Sequence, residues 1–365
     1  MRSFGQADSV LLRRRTRYDT QPALGWRRHV TSQETNVSFI PNAAAFAFTA
    51  AACVPVLKLL RGRAMVDVPN HRSSHTVATP RGAGLAVAIG ALLAVATVRD
   101  HVPGLLVVAL GSAAFGVLGL IEDLRGINVG GRLLAQAALA VGATVAVTNT
   151  TDRQVSVGTI ALLVVLALFV VSYVNAFNFM DGVNAISGAQ AVVTGVALAV
   201  LGHHFHVVSL EIGAGILAAA ALGFLPFNAP QARMFLGDVG SYFMGAWIAL
   251  LMVLAVLAHV PFVAAVSPAA IYGIDTASTV IRRLRNHEAV FEPHRSHVYQ
   301  QLARRFGSHM VATAVVSAAT AATAAAGYVT AVTDGWVMVA STCALVAVVV
   351  GYASLAQPGA VTSES

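Results

Sequence analysis

Apolar stretches long enough to cross a bilayer follow one another from residue 40 to residue 355, with no soluble-looking interval between them. A membrane helix needs about 20 mostly apolar residues. Eleven stretches approach that length: 39–60, 82–99, 104–121, 132–149, 157–174, 187–206, 209–226, 240–258, 261–280, 309–330 and 335–355. The pattern predicts an all-α fold, a polytopic integral-membrane bundle of about 10–11 transmembrane helices forming one domain over 39–355. Of the 365 residues, 57% are hydrophobic and only 11% charged, against roughly 25% charged in soluble domains. This speaks against a water-soluble globule, a disordered chain or a nucleic-acid-binding module. The net charge of +7 therefore becomes a question of sidedness. Cys53 and Cys343 both lie in apolar stretches and read as small buried hydrophobes, not as a disulfide framework.

Eleven spans sort the loops into two sets. Loops 61–81, 122–131, 175–186, 227–239 and 281–308, with the span ends beside them, hold nearly all the Lys and Arg after residue 38, whereas the opposite set holds only Arg99 and Arg153. The positive-inside rule places the first set in the cytoplasm. Segment 1–38 conflicts with that assignment, because it is rich in arginine yet falls outside by the same count. It has no apolar core, so it does not read as a signal peptide. It is expected to be a polar, basic, flexible tail, with a second tail at 356–365.

Ionisable groups near bilayer depth are costly and tend to mark function. Five polar clusters fall on the assigned cytoplasmic side. Glu122 and Asp123 follow directly on an apolar run. Two adjacent carboxylates repel each other, and a hard cation or a shared proton would relieve the repulsion. Asn175, Asn178, Asp181 and Asn184 recur every three residues, close to one helical face, and offer oxygens to a cation or amide donors to a phosphate or base. Asp238 sits between glycines in Phe235-Leu-Gly-Asp238-Val-Gly, with Asn228 upstream. It stands at a span start, where a helix N-terminus favours anions. His294, Arg295 and His297 share a short basic loop better suited to phosphate than to zinc. The turn-rich loop from Asp67 through Arg72 and His75 to Thr79-Pro-Arg81-Gly-Ala-Gly84 combines both charge signs. By contrast, His203, His204 and His206 map to the outer side with only Glu211 as an acidic neighbour and read as interfacial residues. Carboxylates and amides beside arginine and histidine suggest a Mg²⁺ site completed by substrate phosphates, and hence phosphoryl transfer to a lipid.

The stretches DVPNHRSSH, TPRGAG, GLIED, NAFNFMDGVNAISG, FLPFN, ARMFLGDVGS and PHRSHVYQQL resemble, in order, the motifs of the polyprenyl-phosphate N-acetylhexosamine-1-phosphate transferases. The resemblance covers about residues 40–330. It implies transfer of HexNAc-1-phosphate from a UDP-N-acetylhexosamine to undecaprenyl phosphate, with release of UMP. The reaction would run at the cytoplasmic face of the bacterial plasma membrane, with Mg²⁺ or Mn²⁺ as cofactor, and start a cell-envelope polysaccharide such as lipopolysaccharide. By position, Asp123, Glu122, Asp238 and Asp181 are expected as catalytic carboxylates, with Glu122 in place of an aspartate of the family's pair. Asp238, Asp123 and Asp181 are expected to face the metal. Asn175, Asn178 and Asn184 match the nucleotide row, although Asn184 stands where many relatives have aspartate. Asn228 and Phe235 match uridine-binding positions, and His294, Arg295 and His297 match the diphosphate and sugar loop. Arg72 and His75 belong to the first motif and are expected to contact substrate. PHRSHVYQ is nearer the O-antigen-type branch than the pentapeptide translocase. Membrane lipids surround such a protein, a homodimer is compatible with it, and nucleic acid is not expected. The rival expectation is a polytopic transporter of nucleotide sugars or lipid-linked sugars.

Overall fold

The computed structural model describes residues 34–63, 65–67, 78–98, 102–151, 153, 156–288 and 295–356; the side chains of 34–38 and of residue 66 lie outside that description. The N-terminal segment 1–33 and the tail from 357 are likewise outside the described residues. Helix α1 (Glu34–Gly62) leads to a two-residue antiparallel ladder, β1 (Val66–Asp67) with β2 (Thr79–Pro80). There follow α2 (Gly84–Val95), α3 (Pro103–Arg125), α4 (Val129–Thr148), α5 (Val157–Phe179), α6 (Ile186–His204), α7 (Val208–Asn228) and α8 (Gly237–Leu257). The chain ends with α9 (Phe262–Val266), α10 (Ala270–Arg285), α11 (Val298–Phe306), α12 (His309–Val332) and α13 (Gly335–Ser354).

Nine of the described helices are long and apolar enough to cross a membrane, and the chain is a multi-pass membrane protein. Two of the eleven expected spans differ from expectation. Helix α2 has 12 residues, or about 18 Å at 1.5 Å per residue, short of a hydrocarbon core about 30 Å thick. The stretch 261–280 is not one helix. It breaks at a 3-10 turn over Ser267–Ala269, where Pro268 has no N–H to continue the ladder. Irregular backbone at membrane depth persists only where protein satisfies it. Here Gln190 Nε2 donates to the carbonyl of Pro268 at 3.1 Å, and Thr320 Oγ1 donates to Gln190 Oε1 at 2.8 Å. Beyond the break, α10 carries Asp275, Arg282, Arg283 and Arg285, a composition for the membrane rim.

Helix α8 is the core. Every residue from Val239 to Leu257 is buried, which suits a helix that is apolar on all sides and enclosed by protein. Trp247, fully buried, places its indole N–H 2.9 Å from the carbonyl of Gly213 on α7. At the other extreme α13 leaves Trp336, Val339, Val346 and Val350 exposed, as a lipid-facing helix would. Cys343 on that helix is exposed, contrary to expectation, while Cys53 is buried.

Candidate active site at one rim of the bundle

Three segments far apart in sequence meet where α2 and α8 begin and α3 ends. Residues 80–84 run beside 235–236 as an extra ladder. Phe235 N donates to Pro80 O at 2.7 Å, Ala83 N to Phe235 O at 2.9 Å and Gly84 N to Leu236 O at 2.8 Å. The end of α3 presses in from the other side. A Cβ on Gly119 would lie 2.2 Å from Asp238 O, so only glycine permits that approach. Gly237 has φ +76°, and a Cβ there would meet Asp123 Oδ2 at 2.9 Å.

This packing sets Asp123 against the start of α8. Its Oδ2 accepts the N–H of Val239 at 2.9 Å, supplying from another helix the acceptor that a helix N-terminus lacks. Arg81 then bridges two carboxylates. Its Nε lies 3.1 Å from Asp123 Oδ1 and its Nη2 lies 2.6 Å from Asp238 Oδ1. Burial opposes the guanidinium's charge, but Asp238 and Asp123, with Asp67 further off, outweigh it and hold its pKa above the usual range.

Glu122 turns elsewhere. Successive helical residues point about 100° apart, and Glu122 pairs with Arg132 of α4 at 3.4 Å. The adjacent carboxylates therefore face separate arginines, Asp123 toward Arg81 and Glu122 toward Arg132. Glu122 Oε2 and Arg132 Nε are buried with no hydrogen-bond partner.

The row of amides is likewise divided. Helix α5 stops at Phe179, so only Asn175 and Asn178 share its surface, and Asp181 and Asn184 lie in the turn that follows. Asn175 Nδ2 donates to Gln136 Oε1 at 2.6 Å and to Val171 O. Asn178 is partly exposed. Asp181 Oδ1 accepts the hydroxyl of Ser187 at 2.6 Å. Burial pushes its pKa up to about 7, with Asp238 and Asp123 adding to the rise and the Ser187 bond and Arg81 opposing it. Asn184 Nδ2 donates to Pro230 O at 2.9 Å. Asn228 accepts from Ala185 N at 2.6 Å and donates to Met234 O at 3.0 Å. Asn184 and Asn228 thus tie the loop 181–186 to the loop 229–236. Asn228, buried, spends its amide on backbone where a uridine contact was expected.

His297 also differs from expectation. It is nearly fully buried, with Nδ1 3.0 Å from Asp275 Oδ1. The same carboxylate accepts from Val298 N at 3.0 Å, Tyr299 N at 3.1 Å and Tyr352 OH at 2.7 Å. His297 is therefore part of the cap of α11, not an open phosphate ligand. Tyr299 OH donates to Phe179 O at 2.9 Å, which seats α11 beside the Asp181 turn. Arg295 is partly exposed, and burial followed by the nearby charge of Arg304 lowers its pKa. Phe235 is partly exposed beside Asp238. Arg72, His75 and His294 lie outside the described residues.

Asp123 and Asp238 offer hard oxygen ligands around a single cationic position, now filled by a guanidinium. Among the described residues no three His, Cys, Asp or Glu side chains converge to hold a metal. Asp123 and Asp238 converge on Arg81, while Asp181 bonds to Ser187. Two carboxylates completed by substrate phosphates fit Mg²⁺, which seldom uses an all-protein cage. Arg81, Arg132, Ser187 and Asp275 were not singled out individually from sequence. Arg81 stands in a recognised motif, but nothing local indicates its partners.

The family model "Glycosyl transferase family 4" matches residues 105–256. The chain is 30% identical over 316 residues to the decaprenyl-phosphate N-acetylglucosaminephosphotransferase of Mycolicibacterium smegmatis, covering 73% of this chain and 75% of the relative. It is 27% identical to a probable undecaprenyl-phosphate N-acetylglucosaminyl 1-phosphate transferase of Bacillus subtilis, over 69% of this chain and 73% of the relative. It is also 29% identical to the undecaprenyl-phosphate alpha-N-acetylglucosaminyl 1-phosphate transferase of Thermotoga maritima, over 66% and 74%.

Proposed function

The chain belongs to glycosyl transferase family 4, and from that premise we propose that it transfers N-acetylhexosamine 1-phosphate from a UDP-sugar to polyprenyl phosphate. The names of its relatives favour N-acetylglucosamine as the sugar. A phosphate oxygen of the lipid attacks the β-phosphorus of the donor. The bond from that phosphorus to the oxygen bridging the α-phosphate breaks, and UMP leaves with that oxygen. The products are lipid-diphospho-sugar and UMP.

The observation that carries this reading is the meeting of Arg81, Asp123 and Asp238 at one rim of the bundle. Phosphoryl transfer depends on positioning and electrostatics more than on covalent help from the protein. Asp123 and Asp238 are the residues that would hold Mg²⁺. When bound, that ion would neutralise charge on the diphosphate. Asp123 already accepts from Val239 N and from Arg81, so it suits organising the site better than taking a proton. A lipid phosphate is largely ionised at pH 7, the second phosphate pKa being about 6, and needs no base. Asn178 and Phe235, both partly exposed, are the residues that would contact the nucleotide. The rim placement of these groups, and relatives that are transferases, argue against a transporter, whose sites lie near the midplane. The arginine-rich loops favour the cytoplasmic side of a bacterial plasma membrane.

The test uses membranes carrying the protein, undecaprenyl phosphate and UDP-N-acetylglucosamine radiolabelled at the β-phosphorus. Label should become chloroform-extractable with Mg²⁺ and not with EDTA, and Asp238→Asn should abolish it. Intact, correctly inserted protein that makes no lipid-linked product from any UDP-N-acetylhexosamine would overturn the reading.

A further inference from the structure

Arg81 combines a backbone held in a ladder with a half-exposed side chain that reaches its two carboxylate partners. Its N–H donates to Met65 O at 3.0 Å, and the residue forms a parallel bridge with Phe235. Its side chain is 43% exposed, whereas those of Asp123 and Asp238 are 3% and 14% exposed. The guanidinium therefore reaches the carboxylates from the open side. It can swing outward without disturbing the ladder, while Asp123 is held by the N-terminus of α8.

We propose that Arg81 is a displaceable counter-cation: it competes with a divalent ion for the carboxylates of Asp123 and Asp238, and passes to the anionic diphosphate of the donor when ion and donor enter together. A guanidinium suits both states, because its planar donors match carboxylate and phosphate oxygens alike. Paired with Asp123 and Asp238 it relieves the repulsion between the two carboxylates. Released to the donor, it would add positive charge against the diphosphate. Arg81 is thus a competitor for the metal and a binder of the donor, and mutation should move the two affinities in opposite directions.

The proposal rests on the transferase reading for the identity of the anion, but its metal half can be measured without turnover. Purified full-length protein in detergent is titrated with Mn²⁺ alone and followed by electron paramagnetic resonance, comparing wild type, Arg81→Gln, Arg81→Lys and Asp238→Asn. Arg81→Gln should bind Mn²⁺ about fivefold more tightly, because its charge-assisted contacts with both Asp123 and Asp238 no longer compete with the ion. Asp238→Asn should bind it more weakly. Arg81→Lys keeps the charge but cannot bridge two carboxylates with one planar group, and should fall between wild type and Arg81→Gln. In turnover assays Arg81→Gln should raise KM for the UDP-sugar about tenfold, with a smaller change in kcat. Unchanged or weaker Mn²⁺ binding in Arg81→Gln, or in Arg81→Lys if the former does not fold, would overturn the proposal. A wild type that binds Mn²⁺ in this order of affinities yet transfers no sugar phosphate would instead sink the transferase reading.

Discussion

The carboxylate of Asp123, at the end of α3, accepts the backbone N–H of Val239 in the first turn of α8 at 2.9 Å across 116 residues of sequence. One side chain thereby fixes the start of the most buried helix and presents its other oxygen to Arg81.

That double duty separates two substitutions. Asp123→Asn keeps an acceptor for Val239 but loses the charge, so it should melt near wild type while losing at least about 100-fold in transfer activity. Asp123→Ala removes the cap as well and should cost a further ~1–2 kcal/mol of stability. Thermal unfolding in detergent, paired with the lipid-product assay, distinguishes them.

Gly237→Ala should be harmful although it adds one methyl. The residue sits at φ +76° and the new carbon would stand 2.9 Å from Asp123 Oδ2. A left-handed non-glycine residue costs about 1–2 kcal/mol, and displacement of Asp123 adds to that. The expected result is a lower melting temperature together with lost activity. Normal values of both would show that the turn is not constrained as described.

Asp181 should make stability depend on pH. Its folded pKa of about 7 lies above the ordinary value of 3.8, so the folded state prefers the neutral acid. The associated stability is complete below about pH 4 and is lost as pH rises through about 7. Asp181→Asn mimics the neutral form. In EDTA it should melt above wild type at pH 8, with the difference shrinking toward pH 5. A difference that stays constant from pH 5 to pH 8 would contradict the assignment.

Asp275 joins α10, α11 and α13 through four hydrogen bonds. Asp275→Ala would leave His297 and two backbone N–H groups buried without their partner, at a cost of roughly 3–5 kcal/mol. Hydrogen exchange should accelerate first in residues 295–306. Protection confined to its wild-type pattern there would show that α11 is anchored elsewhere.

The sequence by itself determined that this chain lives in a membrane. The succession of apolar stretches, the one-sided arginines and the rim positions of Asp123, Asp181 and Asp238 are local signals of composition and spacing, and local pattern reports burial and helix length directly. The ordered motifs likewise identified the family. The local signals could not say which charges would meet. Arg81 and Asp238 are separated by 157 residues, and their pairing depends on how α2, α3 and α8 pack at their ends. The same packing sent Glu122 to Arg132 and drew His297 to Asp275, and Pro268 with its Gln190 support broke a stretch that hydropathy alone reads as continuous. Hydropathy has no term for partner choice. Charge pairing in a membrane protein is settled where buried groups must satisfy one another, and only the tertiary structure brings those groups within reach.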